Sequence, residues 1–174
     1  MNVLESFSLK GKVALVTGGA GLYGRQIVEA LAEAGAETYI ASRNLESLQE
    51  VAKEEVQRGH NVTAMKLNLS EDDSIENLHR DIITKSGKCD ILINNAVSRE
   101  FGSAGWKNTL DDFDKSLRIN ASALFKITQI FAEDMKKNNS GSIINIGSMM
   151  GTVGVENGNY EGTDFTPATS PLYF

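Results

Sequence analysis

The sequence contains few of the residues that build metal sites and disulfides. Among its 174 residues are one cysteine, Cys89, and two histidines, His60 and His79. A single cysteine excludes an intramolecular disulfide, and neither histidine has a partner at the spacing of metal ligands. The sequence therefore predicts no metal site. We interpret Cys89 as a small buried residue at the start of a strand and both histidines as surface residues.

Long apolar runs and excess positive charge are also missing. No window approaches the roughly 18 apolar residues that a transmembrane helix needs. The net charge is −6, from 17 basic and 23 acidic side chains, which argues against nucleic-acid binding and against a basic membrane-surface helix. The first residues include no apolar stretch long enough for a signal peptide. We therefore expect a cytoplasmic protein without nucleic-acid or membrane partners.

Short apolar runs alternate with helical patterns along most of the chain. The apolar runs predict strands at 13–17, 37–41, 61–67, 90–93 and 142–146. Helical spacing predicts helices at 22–34, from a cap at Asn44 to about residue 58, from a capping box at Ser70 and Asp73, and at 110–137. This alternation predicts an α/β fold, a Rossmann-type doubly wound parallel sheet in three αβα layers. We expect one domain over residues 1–174, with a loop from residue 151 onward.

A glycine-rich segment lies between the first predicted strand and the first predicted helix. Residues 19–24, Gly-Ala-Gly-Leu-Tyr-Gly, match G-x-G-x-x-G in the context that gives this motif meaning. Glycines permit a tight turn and let the backbone approach a pyrophosphate, and the amino end of the following helix favours its negative charge. The sequence predicts a dinucleotide site here; the alternative is a tight turn that binds no ligand. The residues assigned to the site are Thr17, Gly18, Gly19, Gly21, Leu22, Tyr23 and Gly24.

The end of the second predicted strand indicates which dinucleotide binds. NAD-binding domains usually place an acidic residue there, about 20 residues past the glycines, on the ribose 2′-hydroxyl. Here the strand ends in Ala41, Ser42 and Arg43. A guanidinium suits the 2′-phosphate of NADP, so Ser42 and Arg43 predict NADP, with NAD as the alternative. Arg43 could also be a solvated loop residue.

Further motifs follow in order along the chain. The turn from Thr17 to Gly24 is similar to TGxxxGxG, with the middle glycine replaced by Leu22. Residues 94–97, Asn-Asn-Ala-Val, are similar to NNAG, with Val97 in place of the glycine. Residues 141–148 read as a strand that ends in a serine. Together these motifs resemble the short-chain dehydrogenase/reductase family over essentially the whole chain, although the glycine spacing is closer to the TGxxGxxG of its extended, nucleotide-sugar members.

The resemblance implies roles for individual residues. Asn68 stands where the family has an aspartate that contacts adenine, and its amide oxygen keeps that contact open. Leu69, Asn95 and Ala96 would complete the cofactor site. Asn120 would support the active-site proton relay, and Ser148 would hydrogen-bond the oxygen of the substrate.

The family also uses a tyrosine as general acid or base, with a lysine four residues later that lowers the tyrosine pKa. Tyr160 lies 12 residues after Ser148, but Asp164 occupies the lysine position. Tyr173 lies 25 residues after Ser148, and its lysine would fall beyond Phe174. We favour Tyr173, and we therefore expect these 174 residues to lack the lysine and the last strands and helices of the family, and to be inactive as a reductase.

The leading functional prediction is an NAD(P)-dependent oxidoreductase that transfers hydride between nicotinamide and a small-molecule alcohol or ketone. One alternative is a sugar-modifying dehydrogenase or an epimerase-like member of the same family. Another is a nucleotide-binding module without catalysis. For the full-length form we expect a homo-oligomer.

Overall fold

Five parallel strands form one sheet in the computed structural model, which describes residues 2–99, 107–153, 156, 158, 161 and 162. The strands are β1 (Val13–Thr17), β2 (Glu37–Ser42), β3 (Val62–Lys66), β4 (Ile91–Asn94) and β5 (Ser142–Asn145). The helices are α1 (Val3–Ser6), α2 (Leu22–Glu33), α3 (Leu45–Gln57), α4 (Asp72–Ser86), α5 (Leu110–Leu117) and α6 (Ala123–Lys137). All five predicted strands are confirmed, and the short helix α1 is an element that the sequence pattern did not predict.

The strand order is β3-β2-β1-β4-β5. The chain moves outward from β1 to β3 and then crosses back to β4 on the other side of β1, so the winding direction reverses between β1 and β4. Every pair is parallel, as Val16 opposite Ile40 in β2 and opposite Ile93 in β4 illustrates. In open α/β sheets, this point of reversal is where ligands bind, outside the carboxyl ends of the strands.

Apolar side chains pack on both faces of the sheet, which confirms the doubly wound, three-layer prediction. Successive residues of β1 point to opposite faces, so Leu15 and Val16 belong to different core layers. The Leu15 layer packs against α4 and α6, where Phe131 is fully buried. The Val16 layer packs against α2 and α3, where Val28 and Leu48 are fully buried.

The ends of two helices test the predicted caps. Asn44 caps α3 as predicted, because its side chain accepts a hydrogen bond from the Ser47 N–H at 3.2 Å. The cap predicted at Ser70 is wrong. The Ser70 hydroxyl instead donates to Oδ1 of Asn68 at 2.8 Å, and α4 begins after Glu71 without a side-chain cap.

The long helix predicted for 110–137 is divided into two. A π-helical turn at Arg118–Ser122 separates α5 from α6, so the backbone bonds reach one residue further than in an α-helix. Thr109 caps α5 in a reciprocal capping box with Asp112, which the sequence pattern did not predict.

Both histidines and the cysteine lie deeper than the surface. Nε2 of His79 lies 2.6 Å from a carboxylate oxygen of Asp134, and Nδ1 of His60 lies 2.7 Å from Glu55. Both are half-buried, so the prediction of surface histidines is wrong. Cys89 is buried as predicted, and burial raises the pKa of its thiol to about 12. None of the helices in the described ranges has the length and apolar character needed to cross a membrane.

Candidate functional site

A cleft of about 910 Å³ opens at the carboxyl ends of β1, β2 and β4. It therefore lies at the point where the winding of the sheet reverses. Its described lining comes from five segments: the glycine-rich turn with the start of α2, the end of β2, the segment after β3, the segment after β4, and residue 119 between α5 and α6. The lining residues with a predicted cofactor role are Gly18, Gly21, Leu22, Tyr23, Gly24, Ser42, Arg43, Asn68, Leu69, Asn95 and Ala96.

Gly18 and Gly24 leave no room for a larger residue in the glycine-rich turn. Gly18 has φ +71°, and a Cβ placed on it would lie 3.0 Å from Cα of Ala96. A Cβ on Gly24 would lie 2.1 Å from the carbonyl oxygen of Gly18. Within the turn, the Gly21 N–H donates to this same oxygen at 3.1 Å. The turn therefore depends on glycine for its conformation at Gly18 and for space at Gly24.

Two of the residues predicted to bind a cofactor lie beneath the cleft instead of lining it. Gly19 is buried, and a Cβ on it would lie 2.8 Å from Cβ of Ile40 in β2. Its role in this structure is close packing of the turn on the sheet. Thr17 is also buried, and its hydroxyl oxygen accepts hydrogen bonds from the N–H groups of Asn95 and Ala96, each at 3.0 Å.

Asn95 joins the glycine-rich turn to the segment after β4. Its side-chain amide donates to the carbonyl oxygens of Thr17 at 3.0 Å and Gly18 at 3.2 Å. Together with the bonds to the Thr17 hydroxyl, these contacts hold two walls of the cleft at a fixed spacing. The neighbouring Asn94 is buried, and its amide donates to Thr128 at 2.9 Å and to Asn145 at 2.8 Å, which ties β4 to α6 and β5.

The cleft is open to anions at the start of α2. Gly21 is the N-cap residue and provides no side-chain cap. The first N–H groups of a helix have no acceptor within it, and the helix dipole adds positive potential at the same end. Leu22, Tyr23 and Gly24, which form this first turn, line the cleft. A phosphate group would find backbone donors here.

The charged side chains that line the cleft have one sign. Arg43 follows β2 on one side, and Arg99 follows β4 on the other. Among the described residues of the lining, none is acidic. Arg99 was missed by sequence reasoning, because it lies beyond the motif at residues 94–97 and belongs to no pattern of its own. The lining therefore suits a ligand with several negative charges.

Asn68 lines the cleft, but its side chain is already engaged. Its Oδ1 accepts hydrogen bonds from the N–H of Ser70 at 3.2 Å and from the Ser70 hydroxyl at 2.8 Å. Its Nδ2 donates to Glu71 at 2.7 Å. Since an amide oxygen has two lone pairs, the adenine contact suggested for this oxygen would require one of these bonds to break.

Asn120 acts on the cleft through Ser98. It lies in the π-helical turn, where its amide donates to the Ser98 carbonyl oxygen at 2.9 Å and its Oδ1 accepts from the Ser98 N–H at 2.8 Å. Ser98 lines the cleft, and so does Ile119. Asn120 itself is not part of the lining and holds the backbone of a residue that is.

The predicted catalytic serine follows the neighbouring strand β5. Ser148 is exposed and accepts a hydrogen bond from the Gly151 N–H on its carbonyl oxygen at 3.1 Å. It is not among the described residues that line the cleft. The two candidate tyrosines, Tyr160 and Tyr173, lie outside the described residues, as does most of the predicted loop 151–174.

Comparison with protein families decides how this site is classified. The sequence profile of the short chain dehydrogenase family matches residues 12–162. The chain belongs to this family. The match begins just before β1 and includes all five strands and the complete described lining of the cleft.

Individual relatives agree with this membership. The chain is 35% identical over 153 residues to the short chain dehydrogenase/reductase dpchG of Colletotrichum higginsianum, which covers 86% of this chain and 57% of the relative. It is 31% identical over 147 residues to the 3-oxoacyl-[acyl-carrier-protein] reductase FabG of Thermotoga maritima. This match covers 84% of this chain and 59% of the relative. It is 30% identical over 145 residues to the 7alpha-hydroxysteroid dehydrogenase of Escherichia coli, covering 83% and 56%. The chain thus spans 56–59% of the length of these curated relatives.

Solved structures show the same fold. A 7 alpha-hydroxysteroid dehydrogenase complexed with NADH and 7-oxo glycochenodeoxycholic acid superposes with a TM-score of 0.83 at 29% identity, covering 91% of this chain and 62% of that one. A metagenomic short-chain oxidoreductase in complex with NADP superposes with a TM-score of 0.79 at 31% identity, covering 84% and 66%.

Proposed function

We propose that this chain is the NAD(P)-binding part of an oxidoreductase that acts on an alcohol or a ketone. The observation that carries the proposal is the cleft itself, in which a glycine-dependent turn and an uncapped helix start face two arginines. Solved relatives are complexes with NADP and with NADH, which supports a dinucleotide as the ligand. The nicotinamide of that ligand would accept or supply the hydride.

Different residues of the cleft would contact different parts of the proposed ligand. The start of α2, from Gly21 to Gly24, would hold the diphosphate through backbone N–H groups. Asn68 and Leu69 would lie beside the adenine, and Ala96 would allow close approach on the opposite wall. Asn95 and Thr17 would act indirectly, because their hydrogen bonds hold the walls together.

We further propose that the chain prefers NADP to NAD. Arg43 lies at the end of β2, where an acidic residue would be needed to bind the free ribose 2′-hydroxyl of NAD. A guanidinium gives the 2′-phosphate of NADP a charged and geometrically suited partner.

The catalytic assignments belong to the same proposal. Ser148 would hydrogen-bond the oxygen of the substrate, Tyr173 would donate or accept the proton, and Asn120 would position the wall of the cleft through Ser98. Because the lysine partner of Tyr173 would lie beyond Phe174, we expect these 174 residues to bind the dinucleotide without turning over substrate. The alternative of a nucleotide-binding module without catalysis stays open.

Fluorescence titration with NADPH and NADH tests the binding proposal. We expect both to bind and NADPH to bind more tightly. Arg43→Gln should weaken NADPH by about tenfold or more, since one charge-assisted bidentate contact is lost, and should leave NADH nearly unchanged. Arg80→Gln, an exposed arginine on α4 away from the cleft, is the matched control and should change neither. Equal affinity of the unmodified chain for both nucleotides would overturn the preference, and absence of binding would overturn the proposed function.

A further inference from the structure

Leu22 and Val97 expose large apolar surfaces inside the cleft. Leu22 is 91% exposed as the first residue of α2, and Val97 is 56% exposed just after β4. Both line the same cleft, whereas Leu67, which also lines it, is buried. Single exposed apolar side chains are common on protein surfaces, but apolar side chains that converge on one concave site usually contact a ligand.

The two residues project from segments that are bonded to each other. Leu22 belongs to the turn after β1, and Val97 to the segment after the neighbouring strand β4. Thr17 and Asn95 join these segments by hydrogen bonds of 3.0 Å. The backbone segments that carry the two aliphatic side chains are therefore joined to each other before any ligand binds.

Both are also positions at which the chain departs from the family pattern. Leu22 and Val97 stand where the motifs it resembles have glycines. Leu22 flanks the backbone N–H groups proposed to hold the diphosphate, so its side chain stands beside the most polar part of the ligand. Apolar cover at such a place excludes water and strengthens the charged hydrogen bonds beneath it.

We propose that Leu22 and Val97 form an apolar lip that covers the diphosphate region of the bound dinucleotide and slows its release. This inference rests on the proposed function, because it names how the same cleft retains its ligand. The lip adds contact area without adding charge, so it acts equally on NADPH and NADH and is independent of Arg43.

The test uses Leu22→Ala, Val97→Ala and the double variant in the 174-residue chain. Stopped-flow displacement gives the rate of NADPH release, and fluorescence titration gives the Kd. We expect each single variant to release NADPH several-fold faster, and the double variant to raise Kd by about tenfold, as loss of covered apolar area predicts. Adenosine 2′,5′-bisphosphate, which lacks the diphosphate bridge, should bind all variants equally.

Matched controls come from the chain itself. Leu110 is also the first residue of a helix and 76% exposed, and Val56 is 56% exposed on α3, but neither lines the cleft. Leu110→Ala and Val56→Ala should leave NADPH release unchanged. If the lip variants match these controls, or bind NADPH more tightly, the lip is overturned while the proposed function stands. If the unmodified chain binds neither nucleotide, the proposed function fails first.

Discussion

Strands β1 and β5 both contain consecutive apolar residues, but of the two only β1 is covered on both faces. All five residues of β1 are buried, and β1 pairs with β2 on one side and β4 on the other. In β5 only Ile143 packs against the core, and Ile144 on the opposite face is 45% exposed. The apolar pattern of a strand thus predicts that it pairs, but the tertiary structure determines how many of its faces are buried.

The same contrast separates the two parts of the candidate site. The turn after β1 is fixed by bonds to the Thr17 hydroxyl and by the Asn95 amide, and it forms a wall of the cleft. Gly147 and Ser148, which follow β5, are exposed. Central strands therefore hold the proposed cofactor contacts, and the edge strand leads to the proposed catalytic serine.

The largest effect expected from this contrast concerns core packing. Leu15→Ala in β1 removes a fully buried side chain and should lower the free energy of unfolding by about 3–4 kcal/mol. Ile144→Ala in β5 should lower it by only about 1 kcal/mol, since much of that side chain is already in water. Urea unfolding of both variants measures the difference, and equal losses would show that β5 is covered as fully as β1.

The next largest difference is expected between a glycine of the turn after β1 and a glycine after β5, in the stability and NADPH binding of their alanine variants. Gly24→Ala places a methyl group 2.1 Å from the Gly18 carbonyl oxygen, so we expect a loss of about 2–3 kcal/mol and at least tenfold weaker NADPH binding. Gly147→Ala meets no atom within 4 Å and should change stability by less than about 0.5 kcal/mol. Urea unfolding and NADPH titration serve as readouts; unaltered binding by Gly24→Ala would show that the turn can relax without harm.

Asp90, which directly precedes β4, stabilises the amino end of β1. Burial raises the pKa of its carboxyl, but hydrogen bonds from Lys88 and the Val13 N–H, together with Lys12, outweigh burial and hold the pKa below its ordinary value. Because the folded pKa is lowered, the stabilisation is complete above about pH 4 and is lost as the pH falls through the folded pKa.

Asp90→Asn should therefore lower the unfolding free energy by about 2 kcal/mol at pH 7. The gap between the variant and the unmodified chain should narrow as urea unfolding is repeated below about pH 4. A gap that stays constant down to pH 3 would show that the Asp90 charge contributes nothing, and that only the shape of the side chain matters.

A smaller loss of stability is expected at the contact between β4 and β5. Asn145→Ala removes one of the two acceptors of the Asn94 amide and should cost about 0.5–1 kcal/mol. Adding Thr128→Val removes the other acceptor, so the double variant should lose more than the sum of the two single losses. Strict additivity in urea unfolding would mean that Asn94 finds another partner.

Much of the fold could be predicted because its determinants are local in sequence. Apolar runs predict the five strands, and an asparagine before a helical pattern predicts the cap at Asn44, whose partner in the structure is only three residues away. The cap predicted at Ser70 is wrong because the Ser70 hydroxyl donates to Asn68, two residues before it, and does not cap the helix. The π-helical turn has no simple composition signal, so α5 and α6 were predicted as one helix.

The candidate site was predictable in part for the same reason. Gly18, Gly24 and Arg43 belong to local motifs, and the structure brings them to one cleft. Arg99 and the link between Asn120 and Ser98 depend on contacts between distant segments, which no local pattern reports. Gly19 belongs to the same local motif but packs against Ile40 and does not line the cleft.

The π-helical turn makes the cleft sensitive to the deletion of a single residue between α5 and α6. A π-helical turn takes up one extra residue by widening the helix locally, so deleting one residue from Arg118–Ser122 would restore a continuous α-helix and shift the residues of the turn. Asn120 would then turn away from both backbone groups of Ser98. The extra residue of the π-helical turn thus determines where Asn120 meets the wall of the cleft. In a homologous protein that lacks this residue, the corresponding asparagine would lie in a different position.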